Sequence, residues 1–290
     1  MLRQDMLKAL CVVVIWGLNF IAIKKGLAEV PPLLLGALRF LAASVPAALL
    51  LPRPPVSWKW LLFLGLSINV GQFSFLFLGM KAGMPAGLAS LLLQAQAFFT
   101  LLFAVAWFGE HWRWNHLVGL AVAAGGMTLI GMQQGGEMTA AGFMLTMAAA
   151  ASWGLGNVVM RRTTLGVPPF SMLSLVVWAG VVAILPLLAL SWFLEGPALW
   201  CQAFGQLTWN GIGAVVYLSY VATLGGYGLW GKLLSRYSAA SVAPWALLVP
   251  LVGMSSAALL LGERLSLWQS LGAVAVMTGL LVHVFGGGRK

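Results

Sequence analysis

Apolar residues fill this chain in blocks of about twenty, and the polar positions between them gather in short clusters rich in proline and glycine. A helix needs about 20 residues to cross the apolar core of a bilayer, so each block has the length of one crossing. The pattern predicts ten helices, over about 7–27, 32–51, 59–81, 86–108, 114–133, 139–161, 169–193, 209–231, 239–261 and 266–285, numbered here helix 1 to helix 10. Pro31-Pro32, the Pro52–Pro55 cluster, Gly83 to Pro85, Gly135-Gly136, Pro168-Pro169, Pro197 and Gly286 to Gly288 punctuate them. No run of short alternating strands appears, so an outer-membrane barrel is not expected.

Composition sharpens this reading. Of 290 residues, 61% are hydrophobic and 8% charged, against about 25% charged in soluble domains. The chain is therefore expected to be an all-α polytopic membrane protein. A net charge of +10 would suggest nucleic acid in a soluble protein, but here the cations sit mainly in short connections, where they set orientation. With the N-terminus inside, cytoplasmic segments hold Arg3, Lys8, Arg53, Lys59, Arg113, Arg161, Arg162, Lys232, Arg236, Arg289 and Lys290; outer segments hold only Lys24, Lys25, Lys81 and Arg264. Both termini are thus expected in the cytoplasm. Arg3 and Lys8 before an apolar run give a superficial likeness to a signal peptide, but the run continues to Ile23 and reads as the first span. Cys11 and Cys201 fall in separate regions and suggest neither a disulfide nor a metal site.

The chain repeats itself. Trp16-Gly17-Leu18 returns as Trp153-Gly154-Leu155 and Pro31-Pro32 as Pro168-Pro169, both 137 positions on. Gly109-Glu110 returns as Gly262-Glu263, Gly119 as Gly272 and Gly126 as Gly279, each 153 positions on. The extra residues of the second half fit best around Glu195 to Trp209, expected as a long outer loop. Five helices is an odd number, so the halves, residues 1–134 and 135–290, must insert with opposite orientation. Inverted repeats are a hallmark of secondary transporters, with the substrate near the midplane between them.

The frame resembles the drug/metabolite transporter superfamily, of the EamA type. Val14 to Phe20, Gly83 to Ser90, Leu93 to Thr100 and Ser174 to Trp178 carry the likeness. It covers essentially the whole chain and implies ten transmembrane helices as two inverted five-helix repeats. Within that family the likeness is to bacterial inner-membrane exporters of O-acetylserine and cysteine. It implies secondary transport of small amino acids or their derivatives by alternating access, with no enzymatic activity. Exporters of other metabolites and channel-like facilitators are the alternatives on the same fold.

Arg39 is the sharpest single residue. It lies seven residues into helix 2, roughly 10 Å at 1.5 Å per residue, and its place in the second half is taken by Val176. A cation at a helix centre costs at least ~2.5–3.5 kcal/mol, and such residues usually face a cavity. A guanidinium suits a carboxylate; the structural alternative is that it snorkels or binds helix carbonyls. Asn19, Asn69, Gln72, Gln94, Gln96 and Asn157 also fall within spans, where amides either meet substrate or join helices. Gln94 and Gln96 are two apart, about 200° around a helix, so only one can look squarely into a cavity. Trp16, Trp153, Trp178, Tyr220, Tyr227, Trp230 and Trp245 are inner aromatics, against an interfacial set including Trp58, Trp114 and Trp209. The expected substrate contacts are Arg39, Asn19, Trp16, Gln72, Gln94, Asn157, Trp178 and Tyr227.

Other features point to scaffold. Gly119 and Gly126 share one helix face, as do Gly272 and Gly279, so helices 5 and 10 can pack closely within the chain or form a homodimer surface. Glu110 and Glu263 stand at equivalent helix ends and suggest capping. His111, His116 and His283 have no metal-ligand spacing or nucleophile–base arrangement, and no phosphate-binding loop occurs, so neither cofactor nor metal is expected. The expected partners are an amino-acid-like molecule and membrane lipid, with no nucleic acid. No carboxylate is expected at the midplane, so a substrate ammonium would rely on amide oxygens or aromatic faces.

Overall fold

The computed structural model describes residues 1–133 and 138–286. Gly135-Gly136, Glu137, Gly287, Gly288, Arg289, Lys290 and the boundary between the halves at 134/135 lie outside the described residues. Among the described residues, ten helices are long and apolar enough to cross a membrane: Arg3–Glu29, Pro32–Leu50, Trp58–Lys81, Ala86–Phe108, Trp114–Met132, Ala140–Thr164, Met172–Leu194, Trp209–Arg236, Ala243–Leu261 and Leu267–Phe285. They are the ten expected crossings, helix 1 to helix 10, and the boundaries have local causes. Pro32 opens helix 2 at its first position, where a missing N–H costs nothing. Helices 4 and 9 both stop at a left-handed glycine, Gly109 (φ +67°) and Gly262 (φ +69°).

Two elements depart from expectation. The stretch before helix 8 is not an open loop: Pro197–Gly205 forms a short helix, again with proline in its first turn. Trp200 on it donates its indole N–H to Ser191 Oγ at 2.8 Å, holding it against the end of helix 7. Helix 8 itself runs on to Arg236, because Leu233 is buried with Ala9 and Val242 in a small second cluster and Arg236 pairs with Asp5 at 3.5 Å.

The helices pair across the two halves: 5 with 10, 2 with 7, 1 with 9, and 4 with 6. Exchanging the halves turns the 1–9 pair into the 6–4 pair, so the contacts obey an approximate two-fold relation. The repeated Trp-Gly explains these crossings. A Cβ on Gly17 would stand 2.5 Å from Val252 Cγ1 of helix 9, and one on Gly154 2.6 Å from Phe99 Cβ of helix 4. Glycine lets each backbone close in, and the preceding tryptophan then faces the centre. Helices 5 and 10 meet through their glycines reciprocally: a Cβ on Gly126 would lie 2.6 Å from Gly272 O, and one on Gly279 2.5 Å from Gly119 O. Those faces are consumed within the chain, so they do not supply the dimer surface that was the alternative use.

Irregular turns recur in both halves and surround the centre. Helix 3 contains a π segment at Gly65–Gln72 and helix 8 one at Tyr217–Gly225. Helix 4 tightens to a 3₁₀ turn at Leu93–Ala95, and helix 9 at Ala243–Leu248. Such non-helical backbone is tolerated at membrane depth only where protein or a cavity surrounds it.

Candidate functional site

A cavity of about 220 Å³ lies between the halves, walled by helices 1 to 4 and 6 to 9. Toward the face that carries the N-terminus, here the near face, its walls are Met160, Met172 and Trp230, all half-buried. Toward the far face the path is closed by Ile23, Leu34, Met80, Met84 and Leu88, each almost wholly buried. The far halves of helices 4 and 9, Ala86–Leu92 and Val249–Leu261, pack together, with no comparable packing between their near halves. The far side of the cavity is therefore the more tightly packed, and the near side the more loosely packed.

Carboxylates lace the far face shut. Glu263 accepts from Ala86 N at 2.7 Å and Gly87 N at 2.9 Å, at the start of helix 4. Glu195 does the same for Leu33 N and Leu34 N of helix 2, at 2.7 and 3.1 Å. Glu29 accepts from the backbone N–H and hydroxyl of Thr208, the cap of helix 8. Each places a negative charge against the positive end of a helix dipole. The expected symmetry of Glu110 with Glu263 fails here: Glu110 instead pairs with Arg161 of helix 6 on the near face, where helices 4 and 9 stand apart.

Arg39 is 3% exposed and lines the cavity. It does not snorkel. Its Nε donates to Thr223 Oγ1 at 3.1 Å, its backbone carbonyl accepts from Ser219 Oγ at 3.0 Å, and its guanidinium stacks 4.2 Å from the Phe73 ring. Thr223 and Ser219 both sit in the π segment of helix 8, and Thr223 in turn donates to Leu218 O at 2.7 Å. The widened turn thus grips Arg39 by side chain and backbone. One guanidinium nitrogen, Nη1, has no partner.

Three more buried amides around the cavity keep polar atoms unpartnered: Asn19 Oδ1, Asn69 Nδ2 and Gln72 Oε1. Asn69 and Gln72 belong to the π segment of helix 3. A buried polar atom without a partner costs about 1–3 kcal/mol, and four of them are gathered around this one cavity. They comprise two donors, one cationic, and two acceptors. Among the described residues, no aspartate or glutamate lines it. The apolar side is aromatic: Trp16 packs at 5.2 Å from both Tyr227 and Trp230, and donates its N–H to Ala222 O.

Seven of the eight expected contacts, Arg39, Asn19, Trp16, Gln72, Gln94, Asn157 and Tyr227, line this cavity. The glutamines divide as their spacing requires. Gln94 faces the cavity and donates to Ala246 O at 3.2 Å, whereas Gln96 accepts from Asn157 Nδ2 at 2.6 Å. Asn157 also donates to Thr100 Oγ1 at 3.0 Å, which makes it largely a joint between helices 4 and 6. Trp178 is the exception. It lies outside the cavity, with its indole donating to Leu51 O at 3.2 Å and stacked edge-on with Trp58. Near the start of helix 7, its reach is to the end of helix 2 and not to the centre. Phe73, Ser219 and Thr223 were not expected. The four-residue spacing of Ser219 and Thr223 on one helix face is the signal that could have found them. Among the described residues, no three of His, Cys, Asp or Glu converge as metal ligands.

A family model described as the EamA-like transporter family matches the chain twice, over residues 5–132 and 140–285. The chain belongs to that family. As an EamA-like transporter it is a multi-pass membrane protein with a doubled architecture. It is 49% identical, over 99% of this chain and 96% of the relative, to a Salmonella typhimurium protein named "Probable amino-acid metabolite efflux pump". An Escherichia coli protein of the same name is 46% identical over the same shares. A Streptantibioticus cattleyicolor protein named "Probable terminal-alkyne amino-acid exporter" is 29% identical over 87% of this chain and 83% of its own length. A crystal structure of a 22% identical protein aligns with a TM-score of 0.63 over 97% of this chain and 96% of that one, and so shares the EamA-like fold.

Proposed function

We propose that this transporter exports small amino acids or their derivatives, cysteine and O-acetylserine among them, across the bacterial inner membrane by alternating access. The relatives named for amino-acid metabolite efflux and amino-acid export support the class. The observation that carries the reading is Arg39, a buried cation in a cavity that no acid among the described residues lines, with Nη1 lacking a hydrogen-bond partner. Asn69 Nδ2 adds a second donor, while Asn19 Oδ1 and Gln72 Oε1 offer acceptors to the substrate nitrogen. The abundance of basic residues on the near face supports its being cytoplasmic, with both termini inside. A cavity packed more loosely on its near side and more tightly on its far side fits the loading state of an exporter in that orientation. Its tightly packed far side favours a carrier over a pore.

The test is counterflow in proteoliposomes with radiolabelled cysteine, O-acetylserine and bulky aromatic amino acids. The two small substrates should exchange saturably, and Arg39→Ala should abolish exchange while the protein inserts normally. Undiminished exchange by Arg39→Ala would refute the carboxylate anchor; movement of the aromatic compounds alone would refute the substrate class.

A further inference from the structure

The charge of the cavity bears on the nitrogen end of the substrate. Among the described residues, Arg39 is the sole charged side chain lining it. The five acids among the described residues are engaged elsewhere. Asp5 pairs with Lys8 and Arg236, and Glu110 with Arg161. Glu29, Glu195 and Glu263 cap helices on the far face. An amino-acid zwitterion bound there brings a carboxylate that neutralises Arg39 and an ammonium that nothing neutralises. That ammonium has three N–H donors and would meet two unpartnered acceptors, Asn19 Oδ1 and Gln72 Oε1, both on residues more than nine-tenths buried. A desolvated ion without a countercharge is strongly disfavoured, and amide oxygens offset only part of that cost.

Resting on the carboxylate-anchor reading, we propose that the cavity takes a second and better-matched substrate class: amino acids whose nitrogen is acylated and therefore uncharged. An N-acyl amino acid carries one N–H and a net charge of −1. Its carboxylate cancels Arg39, its single N–H satisfies one amide oxygen, and no ion is left unpaired. Its acyl group has an apolar wall to rest on, formed by Met160, Met172, Leu175 and Val176.

The experiment is competition in proteoliposomes containing the whole protein. Uptake of labelled cysteine is titrated with each of two matched pairs, cysteine against N-acetylcysteine and O-acetylserine against N-acetylserine. The members of the second pair are isomers that differ only in where the acetyl group sits. The acetylated nitrogen should compete at on the order of tenfold lower concentration, equivalent to about 1.4 kcal/mol. Thermal stabilisation of the purified wild-type protein by the same four compounds should follow the same order, independently of transport. In Arg39→Gln, checked for folding by its unfolding midpoint, the difference in thermal stabilisation within each pair should fall toward equality, because the anion loses more than the zwitterion. Equal or stronger competition by the zwitterions would overturn the inference while leaving the anchor standing. Failure of all four compounds to compete or stabilise would refute the anchor and the inference together.

Discussion

Glu263→Gln should release the far seal. The carboxylate accepts two backbone N–H groups, at 2.7 and 2.9 Å, from the first turn of helix 4. It stands just beyond the left-handed glycine that ends helix 9, so these bonds exist only while the far ends of helices 4 and 9 are together. A hydrogen bond to a charged group contributes about 1.5–3 kcal/mol and a neutral one about 0.5–1.5. Glutamine keeps one neutral acceptor and loses the rest, a deficit of about 2–4 kcal/mol specific to the far-closed state. At 1.4 kcal/mol per decade this shifts the far-open to far-closed ratio by about 30- to 1000-fold. Ser90 reports the change: it lines the cavity beneath the seal and is 2% exposed. With the exposed Cys11 and Cys201 replaced by serine, Ser90→Cys should react slowly with an impermeant thiol reagent added at the far face. Adding Glu263→Gln should accelerate that reaction at least tenfold. An unchanged rate in a folded double variant would show that the two bonds do not hold the gate.

Three further outcomes are expected. Thr223→Val is nearly isosteric but strips Arg39 Nε of its 3.1 Å acceptor; thermal unfolding without ligand should show a loss of about 1.5–3 kcal/mol. A carboxylate substrate should restore more stability to it than to wild type, and equal stabilisation would contradict that link. Gly126→Ala drives a Cβ to 2.6 Å from Gly272 O. Overpacking of this kind costs about 1–3 kcal/mol, read as a lower unfolding midpoint; an unaltered midpoint would mean the helices part easily. Trp178→Phe removes the bond to Leu51 O and should cost about 0.5–1.5 kcal/mol of stability with transport affinity unaltered; a changed KM would return Trp178 to the site.

The amino-acid pattern by itself determined the ten crossings, the doubled architecture and Arg39 as the buried cation. It could do so because a bilayer punishes polar groups so heavily that span length, repeat spacing and one intruding charge stand out against an apolar background. It also separated Gln94 from Gln96, since two residues on a helix cannot share a face. Only the tertiary structure decided which partner each polar atom finds. Asn157 and Asn19 look alike along the chain, yet one is bound to Gln96 and Thr100 and the other keeps an unpartnered oxygen beside the cavity. Trp178 reads like Trp16, but its register on helix 7 sends it to Leu51. The π segment that brings Ser219 and Thr223 onto Arg39 has no propensity signature along the chain, and its partner on helix 2 lies some 180 positions away. Glu110 and Glu263 are equivalent in the repeat and differ in the fold: Glu263 meets the start of helix 4, whereas Glu110 meets Arg161 of helix 6.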